Sequence, residues 1–138
     1  MKASVKQIVD AYKALGNAKT TKLDGAEKGK ILKARKAMRP IAEEFDAFLK
    51  DCQEKFKPEN WDELQARIQE WDTLTKEEKN ETNKAFDKYQ KSIDGVVKEE
   101  LEKEVELTFD KLSEGADVKI MSASDWTPNQ LDALEIMF

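Results

Sequence analysis

The sequence predicts a mainly α fold of the α+β kind: a long antiparallel helical hairpin with a short N-terminal helix, closed by a small C-terminal β-hairpin and a terminal helix. Three observations predict it. Ile31, Ala34, Met38, Ile41, Phe45, Phe48, Cys52 and Phe56 recur in steps of three and four. That spacing keeps one stripe of an α-helix against a partner helix, as in a coiled coil. Phe86, Tyr89, Ile93, Val96, Val97 and Leu101 form a second stripe of similar reach, the return arm. Residues 104–110, Glu-Val-Glu-Leu-Thr-Phe-Asp, then alternate apolar and polar, the period of a half-buried strand. All 138 residues are read as one domain, with the hairpin over 24–101 and a small α/β cap over 102–138.

The elements follow in order. Ser4-Val5-Lys6-Gln7 is a capping box that opens a short helix with Val5, Ile8, Val9, Tyr12 and Leu15 on its apolar face. Gly16-Asn17 ends it, and a polar connector follows. Asp24 caps the long helix that carries the seam to about Lys57, a span of roughly 50 Å at 1.5 Å per residue. Pro40 falls inside that helix and removes one backbone hydrogen bond, so a bend is expected near residues 36–39. The seam keeps its phase across Pro40, which predicts one helix rather than two. Pro58 stops the helix, and Asn60 is a candidate cap for a short helix with Trp61, Leu64, Ile68 and Trp71 on one face. Thr75-Lys76-Glu77-Glu78 is a second capping box, and the return helix follows. Its first stretch, residues 76–84, has few apolar residues and is expected to be exposed or frayed. After the alternating segment, Ser113-Glu114-Gly115 reads as a turn, and Val118 and Ile120 as the second strand of a hairpin. Thr127-Pro128-Asn129-Gln130 is a third capping box with proline at the favoured first position. It opens a last apolar helix through Leu131, Leu134, Ile136, Met137 and Phe138.

Composition excludes much chemistry. The chain has no histidine, so Ser-His-Asp and Cys-His catalysis and His-ligated zinc are impossible. Its single cysteine, Cys52, permits no intrachain disulfide and no Cys-rich metal site, and its place on the seam predicts a buried core thiol. Gly25-Ala26-Glu27-Lys28-Gly29-Lys30 is one residue short of a phosphate loop, and Ile31 stands where magnesium needs a hydroxyl. The acidic runs at Glu43, Glu44 and Asp46 and at Glu99, Glu100, Glu102, Glu104 and Glu106 read as solvated faces, because nothing provides the pocket that separates the pKa values of a catalytic pair. The expectation is therefore a protein with no catalytic residue, cofactor or metal. No stretch reaches the roughly 20 apolar residues of a membrane span, and Met1-Lys2-Ala3-Ser4-Val5 lacks the apolar run of a signal peptide. A cytoplasmic protein with no membrane partner is expected.

Charge is unevenly spread. Residues 1–40 hold 11 Lys/Arg against 3 Asp/Glu, while residues 41–138 hold 13 against 26. Lys28, Lys30, Lys33, Arg35, Lys36 and Arg39 raise a nucleic-acid reading, with Lys30, Lys33, Arg35, Lys36 and Arg39 as its candidate contacts. They spread over more than one helix face, no aromatic interleaves them for stacking, and the acidic remainder repels a polyanion. Pairing of the basic arm with the acidic one is the simpler account. The apolar terminus is the better candidate for contact with a protein. Trp126, Leu131, Leu134, Met137 and Phe138 are its candidate interaction residues, with Trp126 and Leu131 at the two positions of a hydrophobic staple.

The strand Glu104-Val105-Glu106-Leu107 and the run Thr127-Pro128-Asn129-Gln130-Leu131-Asp132-Ala133-Leu134-Glu135-Ile136-Met137-Phe138 resemble the ending of a group of small bacteriophage-encoded proteins of unknown function. Those proteins also open with a short helix like residues 5–15 and continue with a lysine-rich helix like residues 30–49. Residues 58–82 stand outside that pattern. The resemblance implies a phage or prophage origin and transfers no catalytic residue. The function expected is non-enzymatic, through protein–protein contact in virion assembly or on a host target, in the host cytoplasm or the virion. A self-associating tail or capsid component and a nucleic-acid-binding accessory factor are the alternatives.

Overall fold

The computed structural model describes residues 1–124 and 126–138. The fold is mainly α, with a long helical hairpin and a two-stranded antiparallel sheet. In chain order it comprises β1 (Lys2–Ser4), α1 (Val5–Asn17), α2 (Gly25–Lys55), α3 (Trp61–Gln69), a 3-10 turn (Trp71–Thr73), α4 (Lys76–Glu102), β2 (Glu104–Glu106), α5 (Ala116–Ser124), α6 (Pro128–Asp132) and a terminal 3-10 turn (Glu135–Met137). The chain divides into two compact units. Unit 1 is Met1–Asp46 together with Glu100–Phe138, and unit 2 is Ala47–Glu99. Both long helices therefore run from one unit into the other.

The three capping boxes set helix starts as read from the sequence. Ser4 Oγ accepts from the Gln7 N–H at 3.1 Å while the Gln7 side chain accepts from the Ser4 N–H at 2.9 Å. Thr75 and Glu78 exchange the same pair of bonds, each 3.2 Å, and Thr127 and Gln130 do so at the start of α6. Asp24 accepts from the Glu27 N–H at 2.9 Å and caps α2. Each box satisfies backbone donors that a helix start leaves free. Asn60 precedes α3 but makes no side-chain cap.

Helix α2 runs unbroken through Pro40. Its seam serves two cores. Ile31, Ala34 and Met38 are buried in unit 1 beside Ile8, Ala11, Leu15, Leu23, Leu107, Leu112, Ile120 and Leu134. Cys52 is a buried free thiol in unit 2. The stripe shifts on the way: Ala42 is buried while Ile41 is half-buried, because a helix of 3.6 residues per turn drifts against a 3.5-residue repeat. Unit 2 is held by Leu64, Thr82, Ile93 and an aromatic group in which the Trp61 ring lies 4.8 Å from Tyr89 and 5.6 Å from Phe86. Ile68, expected inside, is 45% exposed, one residue from the end of the short α3. The first turns of α4 are mostly exposed, as expected, and helical rather than frayed, with Thr82 fully buried among them. Its hydroxyl donates to the Glu78 carbonyl at 2.8 Å, which makes its burial affordable without a core partner.

The expected C-terminal β-hairpin does not form. β2 pairs instead with the N-terminal β1, antiparallel, with Ala3 opposite Val105. Val118 and Ile120 lie in α5, where Ala116 and Ile120 are buried one helical turn apart and Val118 is 58% exposed. Gly115, at φ +86°, takes the left-handed conformation that lets the chain turn into α5. Nor is the tail one helix: α6 lasts five residues before the chain tightens into the 3-10 turn.

Candidate protein-interaction surface

The structure places the five candidate interaction residues unequally. Leu134 and Met137 are fully buried, and Ile136 nearly so. They complete the core of unit 1, with α1 packed on the terminal 3-10 turn and the Leu112 N–H donating to the Met137 carbonyl at 2.7 Å. Trp126 and Leu131, on either side of the Thr127 cap, are half-buried against the same core. Phe138 is 37% exposed. The tail thus contributes an inner row to folding and leaves an outer row for contact. Leu131 and Phe138 of that outer row line one open depression of 440 Å³ with Lys111, Asp117, Asp132 and Glu135. Sequence reasoning missed the four charged rim residues. They come from three separate segments, and only packing of the tail beside α5 assembles them.

The basic candidates on α2 divide similarly. The Lys30 ammonium donates to Glu27 at 3.2 Å and to the Ser113 hydroxyl at 3.3 Å. The Arg35 guanidinium stacks 4.7 Å from the centre of the Tyr12 ring and fits against Gly16, where a side chain would crowd it at 3.2 Å. Both are used within unit 1. Lys33, Lys36 and Arg39 are exposed. Among the described residues no group of acidic or sulfur side chains is arranged to hold a metal ion, and no helix is long and apolar enough to cross a membrane.

Glu27 is the buried charge that links α2 to the loop before α5. Its carboxylate accepts from the Ser113 N–H at 3.1 Å, from the Ser113 hydroxyl and from Lys30. The Ser113 hydroxyl first, then the Ser113 N–H, hold its pKa below the ordinary glutamate value; burial opposes them and Lys30 assists. A carboxyl with a lower pKa when folded binds fewer protons in the folded state. Its stabilising contribution is complete above the unfolded value of about 4.3 and is lost as pH falls through the lower folded value. The melting temperature of the wild type should therefore drop more steeply below about pH 4 than that of Glu27→Gln, and parallel acid melting curves would refute this link.

Compared with protein-family models, with curated proteins and with solved structures, the chain matches none.

Proposed function

We propose that this is a non-enzymatic phage or prophage protein that acts by protein–protein contact, in virion assembly or on a host target, within the host cytoplasm or the virion. The observation that supports contact through the C-terminal face is the pairing of Leu131 and Phe138 around one depression with a charged rim. An apolar centre within a polar border is the anatomy of a small interface, and a few such anchors carry most of the binding energy. The phage assignment rests on the resemblance of the 104–107 strand and the 127–138 segment.

Deleting the tail is the wrong test, because it removes Leu134 and Met137 from the core. Phe138→Glu changes only the outer row. Affinity capture from infected cells should enrich a partner with the wild type, and Phe138→Glu should weaken that binding by about tenfold or more, with the helical circular dichroism unchanged. Equal capture by both forms would dismiss the C-terminal face. Light scattering separates the self-associating alternative: a chain that assembles with itself and is dispersed by Phe138→Glu is its own partner.

A further inference from the structure

We propose that unit 2 carries a separate docking groove for an acidic protein segment, one bulky apolar side chain of which inserts beside Phe56 and Tyr89. This groove is independent of the C-terminal face in unit 1. It has a volume of 430 Å³ and is lined by Lys55, Phe56 and Pro58 from the end of α2 and the turn after it, and by Ala85, Lys88, Tyr89 and Ser92 of α4. That volume lies in the range of cavities that hold a ligand group.

The groove is built rather than incidental. Ala85 and Ser92 stand one turn before and one turn after Tyr89, and their small side chains leave the notch open. Ser92 turns its hydroxyl back to the Lys88 carbonyl at 2.9 Å, so it asks nothing of a ligand. The Tyr89 ring is fixed from two sides. Its hydroxyl donates to the Gln53 carbonyl at 3.3 Å, and Trp61 supports it at 4.8 Å. A half-buried ring already held in place loses little freedom on binding.

Charge selects the occupant. Lys55 and Lys88 border the notch, and Lys84 and Lys91 continue it into an adjoining hollow that also contains Asp87. Lys84, Lys88 and Lys91 fall at i, i+4 and i+7 on one face of α4. Among the described residues, none of these four lysines forms an ion pair, and Lys55 rests 5.7 Å from the centre of the Phe56 ring. Most acidic residues of the unit fall in residues 59–81, eight Asp/Glu against three Lys/Arg, and none of these lines either hollow. An apolar notch bordered by lysines that form no ion pair among the described residues complements a peptide that carries carboxylates on both sides of one apolar anchor. A nucleic acid fits less well. Single strands need a track of successive stacking rings, whereas the adjoining hollow is lined by none, and Asp87 interrupts the lysine row.

The test uses the full chain and a fluorescein-labelled synthetic peptide of glutamates flanking one phenylalanine, followed by anisotropy. Binding is expected, weaker at about 300 mM than at about 50 mM salt. The double variant Lys84→Glu/Lys88→Glu should reduce affinity by about tenfold or more, and Lys88→Arg should retain it. Ala85→Leu fills the notch without deleting a packed side chain and should reduce binding equally, as should replacing the peptide phenylalanine by serine. The proposal is overturned if the peptide fails to bind at about 1 mM, or if it binds the charge-reversed and Ala85→Leu forms as well as the wild type. It is equally overturned if oligothymidylate binds more tightly than the peptide, or if light scattering shows a dimer that Lys84→Glu/Lys88→Glu disperses.

Discussion

Leu134→Ala and Met137→Ala should each destabilise unit 1 by about 2–5 kcal/mol, the cost of deleting a fully buried large side chain and leaving part of its volume empty. Phe138→Ala, one residue further on and 37% exposed, should stay within roughly 1 kcal/mol. A single domain is commonly stable by only about 5–15 kcal/mol, so either core substitution removes a large share of that margin. Chemical denaturation followed by native-state hydrogen exchange is the appropriate measurement. Exchange should rise at Ile8, Met38 and Ile120, which share that core, and not at Leu64 or Ile93 of unit 2. A wild-type melting curve for Leu134→Ala would mean that the tail does not dock. The result would also decide how binding data are read, because a tail variant that fails to capture a partner is informative only if unit 1 remains folded.

The second large effect tests α5. Ile120→Ala should cost about 2–5 kcal/mol, while Val118→Ala should fall within roughly 0.5 kcal/mol. In a half-buried strand residues two apart face the same way, so the two substitutions would have comparable costs. In a helix they point about 200° apart, and only Ile120, one turn after the buried Ala116, reaches the core. Similar losses at both positions would restore the hairpin and remove α5.

These two cases mark where the chain was legible and where it was not. The helices and their starts are local matters, written in capping residues and in apolar spacing, and Ser4, Asp24, Thr75 and Thr127 lie where their side chains bond to the backbone. The strand read from the alternation of residues 104–110 forms only at 104–106, where β1 is long enough to pair with it, and that partner was not legible. β1 is three residues long and lies about a hundred positions away, and no short-range signal joins Ala3 to Val105. Val118 and Ile120 suit a strand in the sequence because two apolar residues two apart satisfy an alternating pattern by themselves. Ala116 and Ile120, at helical spacing after a glycine turn, carry the helical signal. The tail's apolar character was visible; its division into an inner and an outer row was not, since the change from α6 to a 3-10 turn rotates Leu134 and Met137 inward and Phe138 outward. The notch at Tyr89 had a partial signal in Lys84, Lys88 and Lys91, but Phe56 and Pro58 reach it only through the hairpin.

The pairing of β1 with β2 bears on the order in which the chain can acquire its structure. Unit 2 is continuous in sequence and can form from contacts within that one segment, such as Tyr89 with Gln53, whereas unit 1 is split into two segments that flank it. During synthesis from the N-terminus, β1 has no strand to join until residues 104–106 have emerged, and the core residues Ile8, Met38 and Leu23 lack Ile120, Leu134 and Met137 until later still. Closing a free loop between Ala3 and Val105 costs about 4 kcal/mol in chain entropy. A unit 2 that has already folded shortens the free chain within that loop, so the intervening hairpin eases the closure it would otherwise delay.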